Sequence, residues 1–230
     1  MAQFATDFSG YASGAQPSDW TERWNTGNFA STVEGSGLPA GTLSAKALRI
    51  TGTVDSWYAL TWDLVGSVSG DVEVLVRWHH AHTADIDWPV YLHVCVSGGV
   101  ESENAYGAVH YLSVNQGKVE RVSGGVETSL GAASITLDRN AWYWTRLQRS
   151  STTIRVRMWA HGAAEPDTWL VSAVDATHTS GAVGVGRWAF AGTLWCDFFS
   201  VGTAGDPASS IRAPVLSAAL VGNDIRIDWS

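Results

Sequence analysis

From end to end the chain alternates apolar and polar positions with a period of two, in runs bounded by Gly, Ser, Asn and Asp. Successive side chains of a β-strand point to opposite faces, so this alternation marks half-buried strands, and no segment carries an apolar stripe at helical spacing. The pattern predicts strands at 4–8, 47–51, 57–64, 71–80, 89–97, 105–114, 117–122, 126–130, 141–149, 152–160, 168–175, 182–190 and 193–202. Connections such as "NQGK", "SGG" and "RSSTT" read as hairpin turns. Strands joined this way pair antiparallel and pack as two sheets, an all-β jelly-roll sandwich rather than alternating βαβ units. No repeat at a fixed period points to a propeller or a solenoid.

Parity assigns faces. On 71–80, Val72, Val74, Val76 and Trp78 share one face, while Glu73, Leu75, Arg77 and His79 share the other. On 89–97, Val90, Leu92, Val94 and Val96 oppose Tyr91, His93 and Cys95. On 141–149, Tyr143 and Leu147 oppose Trp142, Trp144, Arg146 and Gln148, and on 152–160, Ile154, Val156 and Met158 oppose Arg155, Arg157 and Trp159. If these strands lie in one sheet, their second faces make a single surface of arginine, histidine, tyrosine and tryptophan.

Composition narrows the class. Of 230 residues, 45% are hydrophobic and 16% charged, which suits a globular chain. No apolar run approaches the roughly 18 residues that would read as a membrane span. A net charge of −8 lacks the basic excess that phosphate-backbone binding requires, so nucleic acid is not an expected partner. "MAQFATDFSG" has neither a basic nor an apolar region of a secretory signal, so synthesis in the cytoplasm without export is expected. Cys95 and Cys196 are a hundred residues apart and read as two separate thiols. Tryptophan is the anomaly: thirteen exceed what one core needs, and amphipathic rings suit binding surfaces.

The stretch "GTAGDPASSIRAP" at 202–214 is rich in small residues and proline, so 1–206 is expected to be one domain and 207–214 a linker. Beyond it, "APVLSAALVGNDIRIDWS" reads as a strand, a turn at Gly222, Asn223 and Asp224, and a second strand ending in Trp229. This segment, 215–230, resembles the opening of an immunoglobulin-like domain of the fibronectin type III kind, which needs about 100 residues when complete.

Three segments taken together carry a broader resemblance. "FATDFSGYASGAQPSDWTERW", "AWYWTRLQRSSTTIRVRMWAHGAAEPDTWLVSAVDATHTSGAVGVG" and "GTLWCDFFSVGTAGDP" look like the concanavalin A-like lectin/glucanase (LamG-like) jelly-roll domains of phage tail and other virion proteins. The resemblance covers about 1–206 and implies a fold that hosts lectins, hydrolases, lyases and structural modules alike. It also implies a possible structural Ca²⁺ near paired chain ends, at Asp7 and Asp197, with no other cofactor required. The Glu-x-Asp-x-x-Glu strand that gives glucanases of this fold their two carboxylates does not occur, so the resemblance points to a non-catalytic member.

The densest cluster of metal-like residues is "RWHHAHTADIDWPVYLHV" at 77–94. Strand parity turns His79 and His80 apart, so they do not chelate one ion together. Asp85 and Asp87 suit a hard cation such as Ca²⁺, or form an ordinary polar turn. The candidate ligand-binding set is His79, Tyr91, His93, Trp142, Trp144, Arg146, Arg155 and Arg157, because aromatic faces stack on sugar rings while Arg and His donate to hydroxyls or carboxylates.

The expected function is non-catalytic attachment. A module of a phage virion, in a tail or baseplate, would bind a host surface polysaccharide, with multiple copies in the assembly. One alternative is a structural or decoration module contacting other virion subunits without a sugar. A third is a diverged glycan hydrolase or lyase, which needs two carboxylates or a Tyr/His pair converging in a cleft.

Overall fold

A computed structural model describes residues 3–24, 27, 29–52, 57–81, 90–111, 114–138, 140–187 and 192–209, and by backbone alone 188, 216–221 and 224–229. Every assigned element among them is a β-strand. In chain order these are β1 (Gln3–Thr6), β2 (Trp20–Glu22), β3 (Phe29–Glu34), β4 (Ala47–Gly52), β5 (Trp57–Trp62) and β6 (Val68–Ser69). They continue with β7 (Val72–Ala81), β8 (Val90–Ser97), β9 (Asn104–Tyr111), β10 (Gln116–Ser123), β11 (Val126–Ser134) and β12 (Trp142–Ser150). The last are β13 (Thr153–Ala160), β14 (Val171–Val174), β15 (Ser180–Trp188), β16 (Thr193–Thr203), β17 (Leu216–Val221) and β18 (Asp224–Trp229).

Two eight-stranded antiparallel sheets form the sandwich. The first runs β14-β13-β12-β7-β16-β4-β3, with β1 also on β16; the second runs β11-β10-β9-β8-β15-β5-β2, with β6 on β15. β17 and β18 pair as a separate hairpin, where two strands were read beyond the linker; Gly222 and Asn223 of the expected turn lie outside the described residues. Thirteen strands were expected in 1–206. β2, β3 and β6 are additional: β2 and β6 have only three and two residues, and β3 alternates in burial but places the polar Ser31 between Phe29 and Val33 on its inward face, which hides the alternation in the sequence.

The hairpin turns follow local chemistry. Gly124 and Gly125, between β10 and β11, both take positive φ (58° and 77°), the backbone a two-residue turn between twisted strands needs. Inside the sandwich, the expected core faces of β7, β12 and β13 meet Leu92, Val94 and Tyr106 of the second sheet. Each fully buried Val, Leu or Phe of such a core is worth about 1.5–3 kcal/mol. Trp78 stacks on Tyr143 with centroids 5.3 Å apart and meets His110 edge-on at 4.4 Å. Its indole N–H donates to Thr145 Oγ1 at 2.9 Å, satisfying the polar atom of a buried ring.

Two bulges revise the parity reading. Cys95 takes φ 60° where the β8 register shifts, between Val94 and Ser97. The extra residue turns Cys95 into the main core and Val96 outward, the reverse of strict alternation. On β16 the register shifts between Cys196 and Phe198. Both cysteines are buried free thiols.

Candidate functional site

The outer face of the first sheet is organised in rows by register. Arg49, Trp195, His79 and Trp142 sit side by side across β4, β16, β7 and β12. Arg77, Trp144 and Trp159 form the next row, followed by Leu75, Arg146 and Arg157, then Glu73, Gln148 and Arg155. Of the eight ligand-set residues, six therefore share this face as expected: His79, Trp142, Trp144, Arg146, Arg155 and Arg157.

A strap, residues 35–46 between β3 and β4, crosses the first of these rows. The β16 bulge inserts Asp197 between Cys196 and Phe198, and there its carboxylate pairs with Arg77, both side chains fully buried. Leu43 N–H donates to Asp197 Oδ2 at 2.7 Å, Arg77 donates to Gly41 O at 2.8 Å, and Trp142 Nε1 donates to Ala40 O at 2.9 Å. The Arg77 guanidinium lies 4.2 Å from the Trp142 ring centroid. Burial raises the Asp197 carboxyl to about 6, against the lowering pull of the Leu43 N–H and Arg77.

Between the strap and the sheet lies a cleft of about 690 Å³, lined by Glu34, Arg49, His79, Asn140, Thr193 and Trp195, with Ser36, Gly37, Pro39, Ala40 and Ala81. Its two charged side chains keep hydrogen-bonding capacity. Arg49 makes no ion pair with a described carboxylate; its guanidinium is 5.9 Å from the Trp195 ring centroid. Glu34 accepts from Thr32 Oγ1 at 2.8 Å and keeps further acceptor capacity. His79 is 6% exposed: its Nδ1 is buried without a hydrogen-bond partner, and the ring is hydrogen-bonded to the Asn140 backbone, so it offers the cleft ring surface rather than a free polar atom. Burial lowers its pKa, so the ring is neutral near pH 7. The lining can therefore donate, accept and offer apolar contact to one bound molecule.

Two other clefts are chemically committed. One of about 410 Å³ holds Arg146 and Arg157. Arg146 pairs with Glu73 and with Glu165, the latter at 2.7 Å, and Arg157 pairs with Glu165 at 2.9 Å. Burial opposes the Arg146 charge, but its carboxylate bonds prevail and raise its pKa. Arg155 donates to Gln148 Oε1 at 2.7 Å and lies 4.5 Å from the Trp169 centroid, with Arg157 at 4.2 Å from the same ring. These arginines were expected as free donors; Glu73, far away in sequence, and Glu165, from the loop after β13, engage Arg146 and Arg157 instead. In the other cleft, about 480 Å³, Arg23 faces Asp63 at 3.3 Å and Trp62 Nε1 donates to Asp19 at 3.0 Å.

Tyr91 and His93 depart from the expected single surface. Their strand, β8, belongs to the second sheet, and its outward side faces away from the sandwich interior. Neither ring is open: Tyr91 is 1% and His93 0% exposed. The two stack at 5.3 Å, with Trp24 meeting His93 edge-on at 5.2 Å and Trp57 meeting Tyr91 at 5.0 Å. Full burial lowers His93 to about 3. The Tyr91 hydroxyl reaches Glu127 at 2.7 Å and Glu120 at 3.4 Å.

The expected cation positions fare differently. Asp197 already faces the guanidinium of Arg77, and Asp7 Oδ1 accepts from Ser9 Oγ at 2.7 Å. The first strand of the sandwich does pair with its last, β1 against β16. Asp85 and Asp87 lie outside the described residues. Among the described residues no three His, Cys, Asp or Glu side chains come together as metal ligands.

Arg49, Glu34, Asn140 and Trp195 were not singled out from the sequence. Arg49 and Trp195 had a readable signal, since each alternates with core neighbours on a predicted strand. Glu34 had none, because β3 itself was not predicted, and Asn140 lies before β12 at φ 56°.

This two-sheet sandwich is the concanavalin A-like architecture, and solved structures share it. A carbohydrate-binding module, CBM66, from Bacillus subtilis superposes with TM-score 0.51 at 16% identity, covering 75% of this chain and 94% of its own. A protein of unknown function from Shewanella oneidensis gives 0.60 at 12%, covering 93% and 89%. Lectin II from Ulex europaeus gives 0.59 at 8%, covering 87% and 97%. At these identities the likeness is one of fold. No protein-family model and no curated protein sequence matches the chain.

Proposed function

We propose that the chain is a non-catalytic carbohydrate-binding module and that the strap cleft is its site. One observation carries this: beside Trp195 the cleft gathers Arg49 and Glu34 with hydrogen-bonding capacity unspent, while the polar groups of the other two described clefts are largely engaged with each other. A shallow pocket with an aromatic lining and a few convergent donors and acceptors suits a sugar ring. The fold neighbours support the reading, since they include a carbohydrate-binding module and a lectin.

The setting we propose is a phage tail or baseplate, where many copies would convert weak single-site binding into firm attachment to a host polysaccharide. The sequence resemblance supports this setting. Against catalysis, Glu34 is the one carboxylate lining the cleft, and glycosidic cleavage ordinarily needs two. Glu120 and Glu127 do converge on the Tyr91 hydroxyl, but Glu120 and Tyr91 are 3% and 1% exposed and offer a substrate no surface.

Binding of the full chain to a panel of immobilised glycans tests the proposal, with Arg49→Ala and Arg155→Ala compared. The expected result is glycan binding lost in Arg49→Ala and kept in Arg155→Ala. Failure of the folded chain to bind any glycan, or turnover of a bound one, overturns it.

A further inference from the structure

We infer that the cleft takes neutral saccharides and that Glu34 is the residue that turns acidic ones away. The inference rests on the carbohydrate-binding reading of the same cleft. β3 and β4 pair with Thr32 opposite Arg49 and Glu34 opposite Ala47. Glu34 and Arg49 are thus diagonal neighbours on one face, roughly 7–8 Å apart by sheet geometry. They do not join: Glu34 takes the Thr32 hydroxyl, and Arg49 leans toward Trp195.

A cleft lined by one carboxylate and one guanidinium that are not paired with each other selects its occupant. The carboxylate only accepts and the guanidinium only donates, whereas a sugar hydroxyl does both, so one hydroxyl or a vicinal pair bridges them. A uronate carboxylate aimed at Arg49 would sit beside Glu34 and be repelled. A free amino sugar aimed at Glu34 would meet Arg49. Glu34 and Arg49 are the charged residues of the lining, and His79 is neutral, so the cleft has no net charge with which to hold an ion. The −8 charge of the whole chain adds a general repulsion of acidic polymers, which salt screens and which the test must separate from Glu34.

The experiment measures affinity of the full chain for a neutral polysaccharide and for its matched polyuronate, at low and physiological salt. Wild type, Glu34→Gln and Glu101→Gln are compared, the last removing an exposed charge on the second sheet's β8–β9 turn. The neutral ligand is expected to bind at least about tenfold more tightly to wild type and to Glu101→Gln, a like-charge contact being worth that much or more. In Glu34→Gln the preference should collapse. Equal or tighter binding of the polyuronate by wild type, or an undiminished preference in Glu34→Gln, overturns the inference and leaves the carbohydrate-binding reading standing. Binding of neither ligand class, on a full glycan panel, overturns both.

Discussion

Arg77 and Asp197 form an ion pair with no exposed surface, and the strap that walls the cleft is fastened to it from above. A buried pair of this kind contributes little net stability against an apolar isostere, but removing one partner strands the other charge. Arg77→Met should therefore cost about 3–5 kcal/mol in urea denaturation. Arg77→Met combined with Asp197→Leu should recover much of that loss. A double variant no more stable than Arg77→Met alone would show that the two charges are not coupled.

Trp142 acts on the cleft through the strap. Trp142→Phe keeps an aromatic ring over Arg77 and removes the indole N–H that Ala40 O accepts. The expected effects are about 0.5–1.5 kcal/mol of stability and faster amide exchange in 36–43. Glycan affinity should also fall. Unchanged exchange in the strap would mean that the bond does not hold it.

Glu120 gives the second sheet a pH signature. Burial, with Glu127 beside it, raises the Glu120 carboxyl to about 7. In the unfolded chain it titrates near 4.3. Between these values the folded state holds a proton the unfolded state has released, so this group makes stability fall as pH rises through that window. Glu120→Gln should remove the fall, gaining on wild type from about pH 4 to 7 by roughly 3–4 kcal/mol and then levelling. A constant difference across this range, followed by denaturation at each pH, would contradict the assignment.

Gly186 marks a close approach. A Cβ there would stand 2.1 Å from Tyr58 O and 2.7 Å from His93 Nε2, so the strand between β8 and β5 has no room for one. Gly186→Ala should lower stability by at least roughly 1–3 kcal/mol. Gly10→Ala, with nothing within 4 Å, should be near neutral. Equal melting temperatures for the two variants would refute the packing.

The His79 and His93 pair shows how far linear reading goes. Parity correctly placed both on the side of their strands opposite the apolar run. It could not say that β7 and β8 belong to different sheets, because sheet membership depends on partners that lie far away in sequence. The same limit explains Arg146 and Arg157, whose freedom depended on where Glu73 and Glu165 came to rest.

By itself, the sequence determined the all-β class, most strands, the core faces of β7, β12 and β13, and six residues of one outer face. Period-two alternation and turn residues are local signals, and local geometry enforces them. The tertiary structure alone decided the two bulges that moved Cys95 and Asp197, the strap, and the placing of Glu34, Arg49 and Trp195 around one cleft. Those features come from register between strands and from contacts closed over long loops, where a shift of one residue reverses a side chain's face and no local pattern records the outcome.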